Sequence, residues 1–162
     1  ESMMISTHFS EHEMTFSQTA ARRQIDNKPG PVALANLRRV ALEILEPVRA
    51  HFGKPVHIHS GYRGLALNRL IPGSAPTSEH QYGMAADFEV AGHSNYEVAK
   101  WIAAGNLRAG FGQLILEHYD RDIPGSGWVH CSVQSANHKN EVLTIIRSGR
   151  RYVRRYGLVL VP

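Results

Sequence analysis

The stretch Ser78-Glu79-His80-Gln81-Tyr82-Gly83-Met84-Ala85-Ala86-Asp87 holds a histidine and an aspartate separated by a glycine and small residues. Glycine and alanine let a backbone turn back close to a site, so an imidazole and a carboxylate spaced in this way can converge on one metal ion. Taken alone, His80 equally fits a surface loop, and Asp87 a strand end bonded to backbone. The run Trp128-Val129-His130-Cys131-Ser132-Val133 reads as a strand and offers a third donor in His130. Two imidazoles and one carboxylate leave a tetrahedral zinc with its fourth position open, the arrangement of a catalytic rather than a closed structural site. Zinc held in that way polarises a carbonyl and brings water to a pKa of about 7, which makes amide hydrolysis its natural use.

Composition agrees with that chemistry and removes others. Ten histidines supply ample imidazole, the commonest protein ligand of zinc. Cys131 is the single cysteine, which excludes an intramolecular disulfide framework and any zinc site built from several thiolates. Next to His130 on a strand, Cys131 must face the other way, and it reads as a small buried residue. With 43% hydrophobic and 20% charged residues in 162, the chain has the make-up of one globular domain spanning 1–162, not of a disordered or fibrous protein. A net charge of +4 draws it toward any polyanion and so chooses no partner. The start lacks the basic and apolar regions of a secretory signal; Glu1-Ser2 ahead of Met3 reads as a cloning remnant, and residues 1–7 as loose. No run approaches the roughly 20 apolar residues of a membrane span. A monomer is expected.

The elements that must position these donors follow from pattern. Ser10 with Glu13 makes a capping box, and Ser17 caps a second short helix through Arg23. Leu34, Leu37, Ala41, Leu42, Leu45 and Val48 recur at helical spacing, predicting one long amphipathic helix from Val32 to about Phe52, kinked at Pro47 and stopped by Gly53. Residues 56–60 alternate as a strand, 61–77 form mostly loop, and 84–90 form the next strand. Asn95 to Ala104 is helical, capped by Ser94 or Asn95 and stopped by Gly105. Residues 113–117 and 128–133 read as two strands joined by a polar Gly/Pro-rich connection, with 142–147 and 152–161 completing the sheet. Helices first and strands later predict an α+β fold, helices packed on a small, mainly antiparallel sheet.

The separated motifs Ser60-Gly61-Tyr62-Arg63, Asn68, Ser78 to His80, Gly83, Ala86-Asp87 and Trp128-Val129-His130 resemble the zinc D-Ala-D-Ala carboxypeptidase family in its phage and bacterial branch. Phe9 to Asn27 and the helix carrying Asn36-Leu37 are similar to it as well, so the likeness covers most of 8–133. The resemblance implies the hedgehog/D,D-peptidase fold, Zn2+ on His80, Asp87 and His130, and a peptidoglycan stem peptide as substrate.

Within that frame Arg63 matches an arginine that faces the active site in relatives, where a guanidinium suits a substrate carboxylate or the oxyanion of the scissile carbonyl. Ser78 and Tyr62 are expected to hydrogen-bond substrate. Some relatives carry an acidic residue three positions before the last zinc histidine; Gly127 stands there instead. Glu117 is the expected general base, because hairpin pairing of its strand with that of His130 brings cross-strand neighbours to about 5 Å. Glu117 could equally orient a ligand histidine, and Asp120, Asp122 and His118 are substitutes for the base. His57 and His59 share a face; one is expected to support the metal ligands and the other to be packed or exposed. His8, His12, His51, His93 and His138 are assigned no partner.

The basic run Arg147, Arg150, Arg151, Arg154 and Arg155 reads as a solvated strand face, with attraction to anionic wall polymer next; Tyr152 and Tyr156 give a nucleic-acid site only weak support, and no specific nucleic-acid partner is expected. The functional expectation is a zinc peptidase acting on peptidoglycan, as D,D-carboxypeptidase or endolysin-type endopeptidase. The alternatives are a non-catalytic zinc-containing wall-binding module on the same fold and a basic polymer binder with incidental histidines. Without a signal peptide, the enzyme is expected to reach the wall after release from the cytoplasm or as part of a phage particle.

Overall fold

The computed structural model describes residues 2–162. Two short helices open it, α1 (Glu11–Thr15) and α2 (Gln18–Arg23), each started by a serine as expected. Ser10 accepts from the Glu13 N–H and the Glu13 side chain returns to the Ser10 backbone, while Ser17 accepts from Ala20. The leading residues expected to be loose carry contacts from Ser2 onward, its hydroxyl accepting from His12 N–H at 3.0 Å. Glu11 N–H donates to Met3 O, Ile5 is buried, and the Ser6 hydroxyl and His8 backbone N–H both donate to Glu46 at 2.8 Å.

The long amphipathic helix forms as α3 (Pro31–Val40), a π-turn (Ala41–Leu45) and α4 (Glu46–Phe52), ended by Gly53 with φ +64°. The π-turn has a cause in the sequence. Pro47 has no N–H to give the preceding turn, and its ring would meet the carbonyl of Glu43; an i→i+5 bond from Glu46 N–H to Ala41 O widens the turn around it.

The sheet has six strands in the order β1-β2-β4-β3-β5-β6: β1 (Val56–Ser60), β2 (Ala85–Val90), β3 (Gln113–Tyr119), β4 (Trp128–Ser132), β5 (Glu141–Ser148) and β6 (Arg151–Tyr156). All neighbours are antiparallel except β3 and β5, which run parallel. The fold is therefore α+β with helices on a mainly antiparallel sheet, as the sequence predicts. The loop 61–77 holds one extra helical turn, α5 (Leu65–Asn68). The helix begun by Ser94, α6 (Asn95–Trp101), gives way to a π-turn (Ile102–Asn106) in which Gly105 takes φ +87°. The last strand stops at Tyr156 rather than running to Val161.

Alternation divides the sheet into two faces. Ala86, Phe88 and Val90 of β2, Leu114 and Leu116 of β3, and Val129 and Cys131 of β4 join Leu37, Val40, Ile44, Leu45, Val98 and Ile102 of the helices in one apolar core. The intervening residues Asp87, Ile115, Glu117, Trp128 and His130 point to the other face. That division is what leaves polar side chains together on an otherwise well-packed sheet.

Candidate metal centre

Asp87 and His130 are direct cross-strand partners of β2 and β4, and His80 reaches them from a 3-10 turn (Glu79–Tyr82). Asp87 Oδ1 lies 2.9 Å from His130 Nδ1 and 3.2 Å from His80 Nε2. All three side chains are buried, and their donor atoms lie within 4.8 Å of one another. Burial alone would raise the Asp87 pKa, but the charge of His80 and hydrogen bonds from His130 and His80 outweigh it and hold the carboxylate below its usual range.

The turn that carries His80 is built for it. Ser78 caps the turn, accepting from His80 N–H, and Gly83 ends it at φ +72°, its Cα against Ala33 O where a side chain would collide. Gly61 O accepts from His80 Nδ1 at 2.7 Å, and Arg63 N–H donates to His80 O at 2.9 Å. A carbonyl can only accept, so Nδ1 keeps its proton, and the proton that His80 shares with Asp87 through Nε2 is the one a cation would displace to take that nitrogen as a ligand. Gly61 is itself wedged against Met14 O, with no room for a β-carbon. The Ser60-Gly61-Tyr62-Arg63 motif is thus a cradle for the His80 ring. Two nitrogens and one carboxylate oxygen converging from three separate elements fit a zinc ion of the three-ligand catalytic kind.

Around these donors lie the other expected site residues. Glu117 pairs with Trp128 across β3 and β4, one step along the same face from the Ile115 and His130 pair. It is half-buried; burial first, then the charge of Asp87, raises its pKa, with His130 pulling the other way. Arg63 is half-buried beside Asp87 and Glu117; burial lowers its pKa while both carboxylates oppose the change. Its Nη2 donates to the Ser78 hydroxyl at 3.4 Å and its Nε meets no acceptor. Tyr62 packs partly against the core, with Asn27 holding its carbonyl at 2.9 Å. Cys131 faces the core as expected, and burial pushes its thiol pKa up, so it stays a protonated packing residue.

Several expectations are corrected. Neither His57 nor His59 supports the metal ligands. Both stand exposed on edge strand β1, edge to face at 4.7 Å, and His59 Nε2 meets the Glu89 carboxylate, because a bulge at His59 keeps its ring on the outer rim. All five histidines assigned no partner have one, His12 lying 5.3 Å from the Phe16 ring. His8 Nδ1 lies 2.7 Å from Glu46, His93 2.9 Å from Glu97 and His138 2.8 Å from Glu141, while His51 stacks on Trp101 at 4.4 Å. Asp120 and Asp122 are taken up in the β3–β4 turn, where Asp120 Oδ1 accepts from Asp122 N–H. His118 is a bulge residue with φ +54°, its exposed ring stacked on Tyr152.

The sequence reading missed the amides that hold the loops. Asn27 Nδ2 bridges Thr15 O and Tyr62 O while its Oδ1 accepts from Gly64 N–H. Buried Asn95 Nδ2 lies 2.9 Å from Glu89, Ser126 O and Gly127 O, tying the turn that follows Glu117 to the start of α6. No periodicity marks such residues; only the positions of the carbonyls do.

The peptidase M15 family model matches residues 7–132, from the segment before α1 to the end of β4. The chain belongs to that family, the zinc D-Ala-D-Ala carboxypeptidases. The match spans all three converging donors, Arg63 and Glu117, and ends before β5. No curated protein matches the chain. Membership makes it a metallopeptidase of an α+β fold, and no helix among the described residues is long and apolar enough to cross a membrane.

Proposed function

We propose that this M15 chain is a zinc-dependent hydrolase of peptide bonds in bacterial peptidoglycan, with His80, Asp87 and His130 as the zinc ligands. The observation that carries the reading is the convergence of those three donors beside a carboxylate, Glu117, whose raised pKa suits it to proton transfer. When bound, zinc supplies Lewis-acid polarisation of the scissile carbonyl and activation of water.

The protein's own groups do the rest. Glu117 takes a proton from the attacking water at its carboxylate and delivers it to the leaving nitrogen, a role its position across from Trp128 and near His130 allows. Arg63, with an unpaired Nε and its charge turned toward Asp87 and Glu117, binds the substrate carboxylate or the developing oxyanion. Ser78 and Tyr62 line the approach, Ser78 already bonded to Arg63 and so able to orient it. The substrate is a stem peptide, cut as by a D,D-carboxypeptidase or an endolysin-type endopeptidase, in the wall reached after release or aboard a phage particle.

The test is mass spectrometry of muropeptides after incubation with the zinc-loaded protein. New peptide termini that vanish with Glu117→Gln, zinc being retained, are expected. Intact muropeptides with the wild type would overturn the reading and leave a zinc-containing binding module.

A further inference from the structure

The catalytic face does not end at the metal centre. Asp87, His130, Ile115, Leu143 and Tyr156 are successive cross-strand partners through β2, β4, β3, β5 and β6, and therefore share one face. The next row runs Trp128, Glu117, Ile145 and Arg154. With strands spaced by roughly 4.8 Å, Tyr156 stands roughly 14 Å from His130 along the sheet. This extension is made by β5 and β6, outside the part of the chain that the family model matches.

The exposed groups on the extension share a character. Tyr156 is 83% exposed and Tyr152 49%. The His118 ring stacks on Tyr152 at 4.2 Å and meets Trp128 edge to face at 4.8 Å, so aromatic rings run without a break from the partner of Glu117 to the outer strand. The positive φ of His118 and the bulge there keep its ring on this face, since Tyr119, the next residue, returns to the core. Among the described residues no carboxylate lies within ion-pair distance of Arg147 or Arg154, the two arginines that alternate onto this face, while Arg151 and Arg155 fall on the other. The basic run expected to form one strand face is divided by the pleat between two.

We propose that the β5–β6 extension binds the sugar strand of the polymer whose peptide is cut, Tyr152 and Tyr156 taking the apolar faces of pyranose rings and Arg154 the carboxylates and hydroxyls beside them. The proposal rests on the peptidoglycan reading of the metal centre. Exposed flat rings on one strand face suit the C–H faces of sugars, and the guanidinium of Arg154, with no carboxylate in ion-pair distance, suits the carboxylates of a wall polymer, while Arg147 is bonded to Gly149 O. Continuity with the catalytic face favours the carrier of the substrate over an unrelated polyanion: a peptide lying at His130 has its glycan attachment within reach of the same sheet.

The test compares wild type with Tyr156→Ala and Arg154→Glu, both at exposed positions, on two substrates. One is purified sacculi freed of teichoic acid, the other a soluble stem peptide without sugars. Sacculus binding and hydrolysis are expected to fall at least about tenfold, the scale of one lost stacking or charged contact, with kcat/KM on the soluble peptide within about twofold of wild type. Equal losses on both substrates, or on neither, would overturn the proposal, as would duplex-DNA binding that these substitutions abolish while sacculus binding persists. If the wild type cuts neither substrate, the peptidase reading fails separately, and sacculus binding by wild type and variants still decides the glycan site.

Discussion

Gly127 is packed so tightly on the backbone of Glu117 that a β-carbon there would overlap the Glu117 carbonyl oxygen. Its φ is +68°, and Asn95 holds its carbonyl at 2.9 Å from the other side. The missing acidic residue three places before His130 is thus a consequence of how β3 bulges at His118. In the proposed mechanism the carboxylate comes instead from Glu117 on the neighbouring strand.

Restoring an acid by Gly127→Glu is expected to damage the enzyme, not to provide a second base. An L-residue in left-handed backbone costs about 1–2 kcal/mol before the collision is counted. A drop of about 2 kcal/mol or more in urea unfolding, with muropeptide hydrolysis falling alongside, is the expected outcome. A variant as stable and active as wild type would show that this turn is free to move.

Glu117→Gln keeps the shape and removes the proton acceptor. Hydrolysis is expected to fall about 10²–10⁴-fold while bound zinc stays near one per chain. Zinc lost together with activity would instead place Glu117 among the groups that hold the metal.

Asp87→Ala removes the oxygen on which both imidazoles converge and leaves His80 and His130 without their buried counter-charge. Zinc by elemental analysis is expected to disappear. For the wild type, saturating zinc at about 100 times its Kd adds about 2.7 kcal/mol to stability by linkage, and a chelator removes it. Thermal melts of the Asp87→Ala variant with and without chelator are expected to coincide.

Glu46 gives a pH signature remote from the site. Burial is the largest single influence and favours its neutral form, but the hydrogen bonds from His8 and Ser6 and the charge of His8 together outweigh it and lower its pKa below the ordinary 4.5. A lowered folded-state pKa adds stability above the unfolded value, and that contribution is lost as pH falls through the folded one. At neutral pH Glu46→Gln is expected to lower Tm by roughly 2–4 °C, an effect of about 1 kcal/mol in a partly solvated group. The difference is expected to shrink as pH drops below about 4.5. A gap that widens in acid would refute the contact.

Much of the site was legible because its signals are local or short in range. His80 and Asp87 lie on either side of Gly83, a glycine that the turn requires, and the pairing of β3 with β4 follows from two apolar runs joined by a polar connection. The long-range histidine partners were not legible, whereas those of His93 and His138, Glu97 and Glu141, are only four and three residues away and were within reach of the sequence. His8 and Glu46, or His59 and Glu89, lie about thirty or more positions apart, and nothing in their neighbourhoods marks a pair. The two faces of the arginine run were equally hidden, since they depend on which register β6 adopts against β5.

By itself the sequence determined the donor types, the helix caps, a break in helix regularity at Pro47 and the alternation that separates core from polar face, because each is a property of a few adjacent residues. Tertiary structure alone decided that β4 enters between β2 and β3, which sets His130 beside Asp87, and that β5 runs parallel to β3, which carries the face of the metal centre out to Tyr156. Strand order and register arise from burying all the apolar faces at once, a condition on the whole chain that no local segment contains.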